Sequence, residues 1–367
     1  MQQWIDNAYI SVILGFIVFA ILFFPGLIWQ YRKHGKPTLS RMLGWFMVSV
    51  YAAALFVYTF VPLPTDGTAW CAAHHVGHNF HPFQFVDDIR RETAGLTLTQ
   101  TLESFVFLQV FFNIVFFIPF GAFMRRYFGR SILVSTLAGF ATSVFIETSQ
   151  YTGIFGIYPC SIRVGDVDDV ITNTAGALLG ALLAPAVLWW VTDARALSAK
   201  RLEPRPVTVW RRWTGMVLDA LLFALTEVTV QLAFRVVHWM SAGEFSHDMP
   251  WEGVVASVMA LLLVFVIPAA GGRGASAGQK IVWLTPKWTA ADGTLTDSNA
   301  AMRILRSLIV AGPWAVSEYL PEPWGAIGGI VVFAALVMVP FTRSHRSLSG
   351  VLTGAQFVDS RSTVSHV

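Results

Sequence analysis

Between Ala8 and Phe341 the chain repeatedly presents apolar runs that carry almost no charge, and this limits it to one kind of solvent. The runs are Ala8–Trp29, Met42–Val61, Ser104–Met124, Ser131–Tyr151, Val167–Val191, Thr214–Val237, Val254–Ala270, Ser307–Ser317 and Gly325–Phe341. Most approach the roughly 20 residues that a helix needs to cross a hydrocarbon core. Hydrophobic residues make up 55% of the chain and charged ones 13%, about half the charged share of a soluble domain. In lipid each segment has to satisfy its own backbone polar groups, and a helix does so. The expected fold is therefore an all-α polytopic integral membrane protein, with about nine transmembrane helices in two bundles. The eighth run is short and interrupted by Gly312 and Pro313, so it reads as a half-helix or an interfacial segment. The first run lacks a basic flank ahead of it and a small-residue cleavage site after it, so it reads as a retained helix rather than a signal peptide.

Lysines and arginines fall in alternate loops. One set holds Arg32, Lys33, Lys36 and Arg41, then Arg125, Arg126 and Arg130, then a dense run from Arg195 to Arg212. The other set holds little more than Arg90, Arg91 and Arg163. The positive-inside rule puts the first set in the cytoplasm, which predicts an outside N-terminus, a cytoplasmic C-terminus and an odd number of crossings. The formal net charge of +3 expresses this basic inner face and gives no basis for nucleic-acid binding. The polar stretch 193–209, with Pro204 and Pro206, reads as a cytoplasmic linker between a five-helix module at 1–192 and a second membrane module at 210–341. Residues 342–367 are polar and Ser-rich and read as a disordered cytoplasmic tail.

Against this apolar background one cluster stands out: Glu147-Thr-Ser-Gln150 at the end of the fourth run, then Arg163-Val-Gly-Asp166-Val-Asp168-Asp169, then Asn173. Ionisable groups at membrane depth are costly and mark functional sites by default. Glu147 and Gln150 are three apart and share a helix face. Asp166, Asp169, Asn173, Gly176 and Gly180 recur at three and four and form one helical stripe. Its acidic end lies toward the outside and its Gly-x-x-x-Gly end toward the inside, where a neighbouring helix can approach closely. Asn113 adds an amide from the third run, six residues ahead of Pro119, which should kink that helix. Two readings follow. Either Arg163 pairs with Asp166 or Glu147 and the network fixes one packing, or the cluster lines a hydrated pocket open to the outside.

Asn113 to Gly121, Glu147-Thr-Ser-Gln150, Arg163 through Asp169 and Asn173-Thr-Ala-Gly176, preceded by His81-Pro82-Phe83, resemble the VanZ family of bacterial membrane proteins over roughly 43–191. The resemblance implies a cell-envelope protein linked to tolerance of lipoglycopeptides such as teicoplanin. It implies no reaction.

Cys71 and Cys160 both fall on the predicted outer side, where a disulfide between them is permitted. His74 and His78 are four apart and would share a face on a helix; with Cys71 they are the only weak candidates for a metal, and no cofactor is expected.

In the second module Arg212 and Asp219 lie two helical turns apart. Gly274-Ala-Ser-Ala-Gly278-Gln-Lys280 and Asp292-Gly293 follow, then Arg306. The glycine-rich piece is no phosphate-binding P-loop, since it lacks the Gly-Lys-Ser/Thr ending. Asp292-Gly293 reads as a turn between strands at 281–284 and 294–296. This set resembles the RDD family over 210–341, with Gln279 where that family commonly has lysine. The resemblance implies a connection with ion transport, as in some members of that family; the plainer reading of these residues is a scaffold or dimer module.

The expected partners are membrane lipid and a polar group at the outer leaflet, on a lipid-linked cell-wall precursor or a lipoglycopeptide. Arg163 would contact its anionic part. One alternative is a membrane enzyme on a lipid-linked substrate with Glu147 or Asp169 as general base. Another is a proton-coupled transporter using Glu147, Asp219 and Glu227.

Overall fold

The computed structural model describes residues 2–74, 76–242 and 250–362. Nine principal helices run through it: α1 (Gln2–His34), α2 (Leu39–Phe60), α3 (Phe105–Ala122), α4 (Ile132–Tyr151), α5 (Val167–Val187), α6 (Val209–Ala242), α7 (Pro250–Leu261), α8 (Ala300–Ser317) and α9 (Ala326–Phe341). A π turn, Phe123–Tyr127, extends α3 past Pro119, and another, Leu262–Val266, carries α7 on to Gly271. Sheet is confined to short pairings, so the protein is an all-α polytopic membrane protein.

Among the described residues seven helices are long and apolar enough to cross a membrane, namely α1 to α7 with their extensions. The ninth expected crossing, α9, is a shorter apolar helix of 16 residues. The eighth is not a half-helix broken at Gly312 and Pro313. Helix α8 starts at an Asn299 cap and continues through both residues to Ser317.

The chain divides into two compact units. The first comprises 1–27 and 37–199, the second 28–36 and 200–367. The boundary between the units, at 199/200, falls inside the expected linker. Residues Ala194–Ala199 form a helix of the first unit, fixed at its start by Asp193, whose Oδ1 accepts from the Arg195 and Ala196 amides. The end of α1 belongs to the second unit, where Arg361 Nη1 donates to the Gly35 and Arg201 carbonyls.

Helix α4 shows how a membrane sequence folds inside-out. Ser135, Gly139, Ser143, Glu147 and Gln150 are buried, while Leu133, Leu137, Phe140 and Val144 are exposed. The polar stripe faces the protein and the apolar stripe faces lipid, because lipid offers no partner to hydroxyls, amides or carboxylates. In the first unit α5 packs mainly on α3 and α4. Glycines set the spacing: a Cβ on Gly176 would stand 2.2 Å from the Ile114 carbonyl oxygen, and one on Gly121 1.9 Å from that of Ala177. Phe117, Ile146 and Ala177 form the buried core below the cluster. In the second unit Phe223, Ala260 and Ala315 join α6, α7 and α8.

Two expectations for the second unit need correction. The strand placed at 281–284 starts later, as β3 (Leu284–Thr289), because a Ser276/Gln279 capping box starts a helix over Ala277–Ile281. It pairs antiparallel with β4 (Leu295–Thr296) across the expected Asp292-Gly293 turn, and Gly293 takes the positive φ of 82° that the turn requires. The tail expected to be disordered is structured over 342–362. Residues Leu348–Thr353 form a helix, and β5 (Gln356–Asp359) pairs with the other edge of β3. Its side chains alternate between half-buried and buried, and Asp359 accepts from Arg205, Arg211 and Arg361. Two guanidinium groups and the Arg205 backbone N–H around one buried carboxylate outweigh the polar composition that suggested disorder. Residues 363–367 lie outside the described residues.

Candidate functional site

The cluster read from the sequence converges on one cavity of about 730 Å³ in the first unit. Glu147 and Gln150 reach it from α4, Asn113 from α3, Asp169 from α5, and Arg163 and Asp166 from the segment between α4 and α5. Each is held by a specific partner. Asn113 Nδ2 donates to Asp169 Oδ1 at 2.5 Å. Glu147 Oε2 accepts from the Asp166 backbone N–H at 2.9 Å. Gln150 Nε2 donates to the Thr59 carbonyl of α2 at 2.8 Å. Arg163, exposed, donates to the Tyr58 carbonyl at 3.3 Å.

Not every acid serves the cavity. Asp168 is 4% exposed, and its two oxygens accept the backbone N–H groups of Phe83 and Phe85 at 2.6 and 2.9 Å. Its role is to fix the Pro-Phe segment. Asp166 caps α5 by accepting from the Asp168 N–H at 2.8 Å and from Asn79 Nδ2 at 3.0 Å. Burial pushes its carboxyl above the ordinary range despite those hydrogen bonds, and the neighbouring Asp168 charge adds to the rise. Two short strands, β1 (His78–Asn79) and β2 (Gly165–Asp166), pair in parallel and tie the long loop to the start of α5. Asn173 is buried deeper, its amide donating to Ser143 Oγ at 2.9 Å. It joins α5 to α4 and does not line the cavity.

The sequence offered Arg163 an ion pair with Asp166 or Glu147. Among the described residues it forms none. The cavity wall thus combines a guanidinium bonded to a neutral carbonyl with two carboxylates, Glu147 and Asp169, bonded to neutral donors. Such a wall can present donors and acceptors to a polar guest at the same time. The sequence reading missed Gln109, which lies one turn before Asn113 and also lines the cavity; the pair of amides at i and i+4 in an otherwise apolar helix was the available signal.

The loop around the cavity is closed by a Cys71–Cys160 disulfide, with the Cα atoms 5.8 Å apart. With Cys71 so committed, its role as a metal ligand falls away. His74 and His78 do not share a helix, because Gly67–Ala73 ends before the first and the second begins β1. The His74 ring stacks on Trp70 and the His78 ring packs against Phe80 and Tyr151. Among the described residues no group of three His, Cys, Asp or Glu side chains is placed to hold a metal ion.

In the second unit Arg212, Asp219, Gly274, Gly278 and Arg306 meet in a buried cluster, while Lys280 and the Asp292-Gly293 turn stay exposed outside it. Asp219 does not pair with either arginine. Its oxygens accept Ser276 Oγ at 2.6 Å and the Gly278 N–H at 2.7 Å. The acids of the expected proton path fall in different units, Glu147 in the first, Asp219 and Glu227 in the second, and Glu227 accepts a hydrogen bond from Ser257.

Residues 48–189, which contain every side chain of the cavity described above, match the model of the VanZ/LLP1 family. No curated protein matches the chain. No solved structure matches it. No family match supports the RDD resemblance over 210–341. Over residues 48–189 the first unit is therefore similar to VanZ/LLP1 membrane proteins, and the residues that carry the similarity are those that build the cavity.

Proposed function

We propose that the first unit is a recognition module of the bacterial cell envelope, binding the polar part of an amphiphile at the outer leaflet. The amphiphile would be a lipid-linked cell-wall precursor or a lipoglycopeptide of the teicoplanin class. The observation that carries the reading is the cavity of about 730 Å³ in which Arg163 stands without an acidic partner, facing the amide and carboxylate groups of Asn113, Glu147, Gln150 and Asp169. Arg163 would take an anionic or carboxylate group by paired donation, and the others would orient the neighbouring hydroxyls and amides. The exterior location of this end of the bundle is supported by the scarcity of lysine and arginine in its loops and by its disulfide, which needs an oxidising compartment. The VanZ/LLP1 match supports the family reading. Arg212, Asp219 and Arg306 meeting at one point supports an RDD-like module in the second unit.

The test is drug susceptibility at matched expression. Cells carrying the wild-type protein should tolerate a lipoglycopeptide better than cells without it, and Glu147→Ala or Arg163→Ala should each return tolerance to the level of the empty host. Unchanged tolerance in both variants rules the reading out.

One observation favours a second reading, a membrane enzyme. Glu147 and Asp169 line the same cavity and neither is ion-paired, so one could take a proton while the other keeps its charge. Turnover of labelled undecaprenyl-type lipids by purified protein, abolished in Glu147→Gln and Asp169→Asn, would favour the enzyme over the binding module.

A further inference from the structure

The second unit contains a feature that the reading above does not use. Two arginines, Arg212 and Arg306, are 1% and 2% exposed and line the same cavity of about 160 Å³. Each has a buried nitrogen that no group of the protein accepts, Nη1 of Arg212 and Nε of Arg306. The rest of each guanidinium is engaged by neutral oxygens. Arg212 donates to the His345 carbonyl at 3.1 Å and to Ser347 Oγ at 3.2 Å. Arg306 donates to the Gly274 carbonyl at 2.5 Å and to Gln279 Oε1 at 3.3 Å. Neither forms an ion pair among the described residues. The Arg212 guanidinium lies 3.3 Å from the centroid of the Phe357 ring, which covers one face and leaves the in-plane edge as its donor surface.

Two buried cations stand here against one buried carboxylate, Asp219. That carboxylate also lines the cavity, but its oxygens are taken by Ser276 and by the Gly278 N–H. One positive charge is left over in a place where an uncompensated charge is costly. The hydroxyls of Ser276, Ser347 and Ser349 line the same wall as the arginines, whereas Val310, Ala311 and Leu336 make the remainder apolar. Guanidinium edges and hydroxyls together match a tetrahedral oxyanion. An apolar wall beside them matches a hydrocarbon attached to it.

We propose that this cavity is a binding site for a phosphate group, carried on a lipid, with Arg212 and Arg306 as its two cationic contacts and Ser347 and Ser349 as hydroxyl donors. The occupant is an anionic phospholipid or another lipid phosphate. Free phosphate shares the head chemistry and lacks the apolar part.

The experiment uses the full-length chain, purified and delipidated in neutral detergent. Thermal stability and native mass spectra are recorded with phosphatidic acid, with phosphatidylcholine and with inorganic phosphate. Phosphatidic acid should raise the melting temperature and be retained at one molecule per chain, and phosphatidylcholine should do neither. A shift with inorganic phosphate as large as that with phosphatidic acid would overturn the lipid assignment and leave a site for the free anion. Equal retention of phosphatidic acid and phosphatidylcholine by the wild-type protein overturns the proposal without any variant. Arg306→Gln should weaken phosphatidic acid binding about 30-fold, as expected when one partner of a buried charge pair is removed. Because removing a buried arginine also costs stability, Ala311→Leu provides a second test. It narrows the cavity while keeping both arginines, and it should also abolish retention; undiminished binding in Ala311→Leu overturns the proposal.

Discussion

Gly180 on α5 lies so close to Ile118 on α3 that an added Cβ would stand 1.9 Å from the Ile118 carbonyl oxygen. Gly176 meets Ile114 in the same way one turn earlier, so the two helices touch backbone to backbone. That contact sets the register in which Asn113 faces Asp169. Gly180→Ala should therefore push α3 and α5 apart and lower stability by about 1–3 kcal/mol, the usual cost of overpacking. Thermal unfolding in detergent measures it, with Leu182→Ala on the exposed face of α5 as the control that changes little. Equal midpoints for Gly180→Ala and the wild type would show that the contact is not as tight as the backbone distances require.

The Asn113–Asp169 hydrogen bond joins α3 to α5 at the cavity wall. Interhelical polar pairs in membranes contribute about 0.6 kcal/mol on average and up to roughly 1.7. Asn113→Ala should cost an amount in that range, and so should Asp169→Ala. The double variant should cost less than their sum, because each single change already breaks the bond. Asp169→Asn keeps an acceptor for the Asn113 amide and should retain most of the stability. Strict additivity of the two alanine changes would mean that the pair is not coupled.

The cluster was legible in the sequence because lipid makes it so. In a chain whose helices are apolar, Glu147, Asp169 and Asn113 have few structural reasons to be present, and their three-and-four spacing assigns them to faces. Which of them bind and which only brace was not legible. Asp168 looked like a member of the site, yet both its oxygens are spent on the Phe83 and Phe85 amides, partners 85 and 83 residues away in sequence that no local pattern reveals. The tail at 342–362 misled for the same reason. Phe357, Asp359 and Arg361 look like scattered residues in a polar stretch until β3 supplies a strand to pair with. Arg212 and Arg306 stand out as a motif, but no local pattern reveals that they line one cavity or that Phe357 of β5 covers Arg212.

The Cys71–Cys160 bond closes a loop spanning a sequence separation of 89. Cross-links over long loops restrict the unfolded chain and typically contribute about 2–4 kcal/mol. Cys71→Ser and Cys160→Ser should each lower the unfolding midpoint, and by the same amount, because both break one bond. Unreduced wild-type protein should show no maleimide-reactive thiol and should migrate faster on a denaturing gel before reduction than after. Unequal losses in the two serine variants, or reactive thiols in the unreduced protein, would contradict the pairing.

Asp359 is the anchor of the C-terminal strand. Its carboxylate takes Arg211 Nη2 at 2.8 Å and Arg361 Nη2 at 2.6 Å, with all three side chains less than a tenth exposed. Burial alone would raise its pKa, but the hydrogen bonds from Arg361 and the charge of Arg211 outweigh burial and hold it below the ordinary carboxylate value. A depressed acid contributes stability that is fully present above its unfolded pKa, about 3.9, and is lost as pH falls through the lower folded value. Unfolding midpoints measured between about pH 7 and pH 3 should therefore separate the wild type from Asp359→Asn at the upper end. The two should begin to approach each other below about pH 4, where the unfolded chain takes up its proton first, and should come together only once the pH has fallen below the native carboxylate's lower value. Asp359→Ala should be worse than Asp359→Asn throughout, because it strips two buried arginines of their acceptor, a loss of about 3–5 kcal/mol when one partner of a buried pair is removed. A gap between wild type and Asp359→Asn that stays constant from neutral pH to about pH 3 would show that the carboxylate charge does not hold the strand.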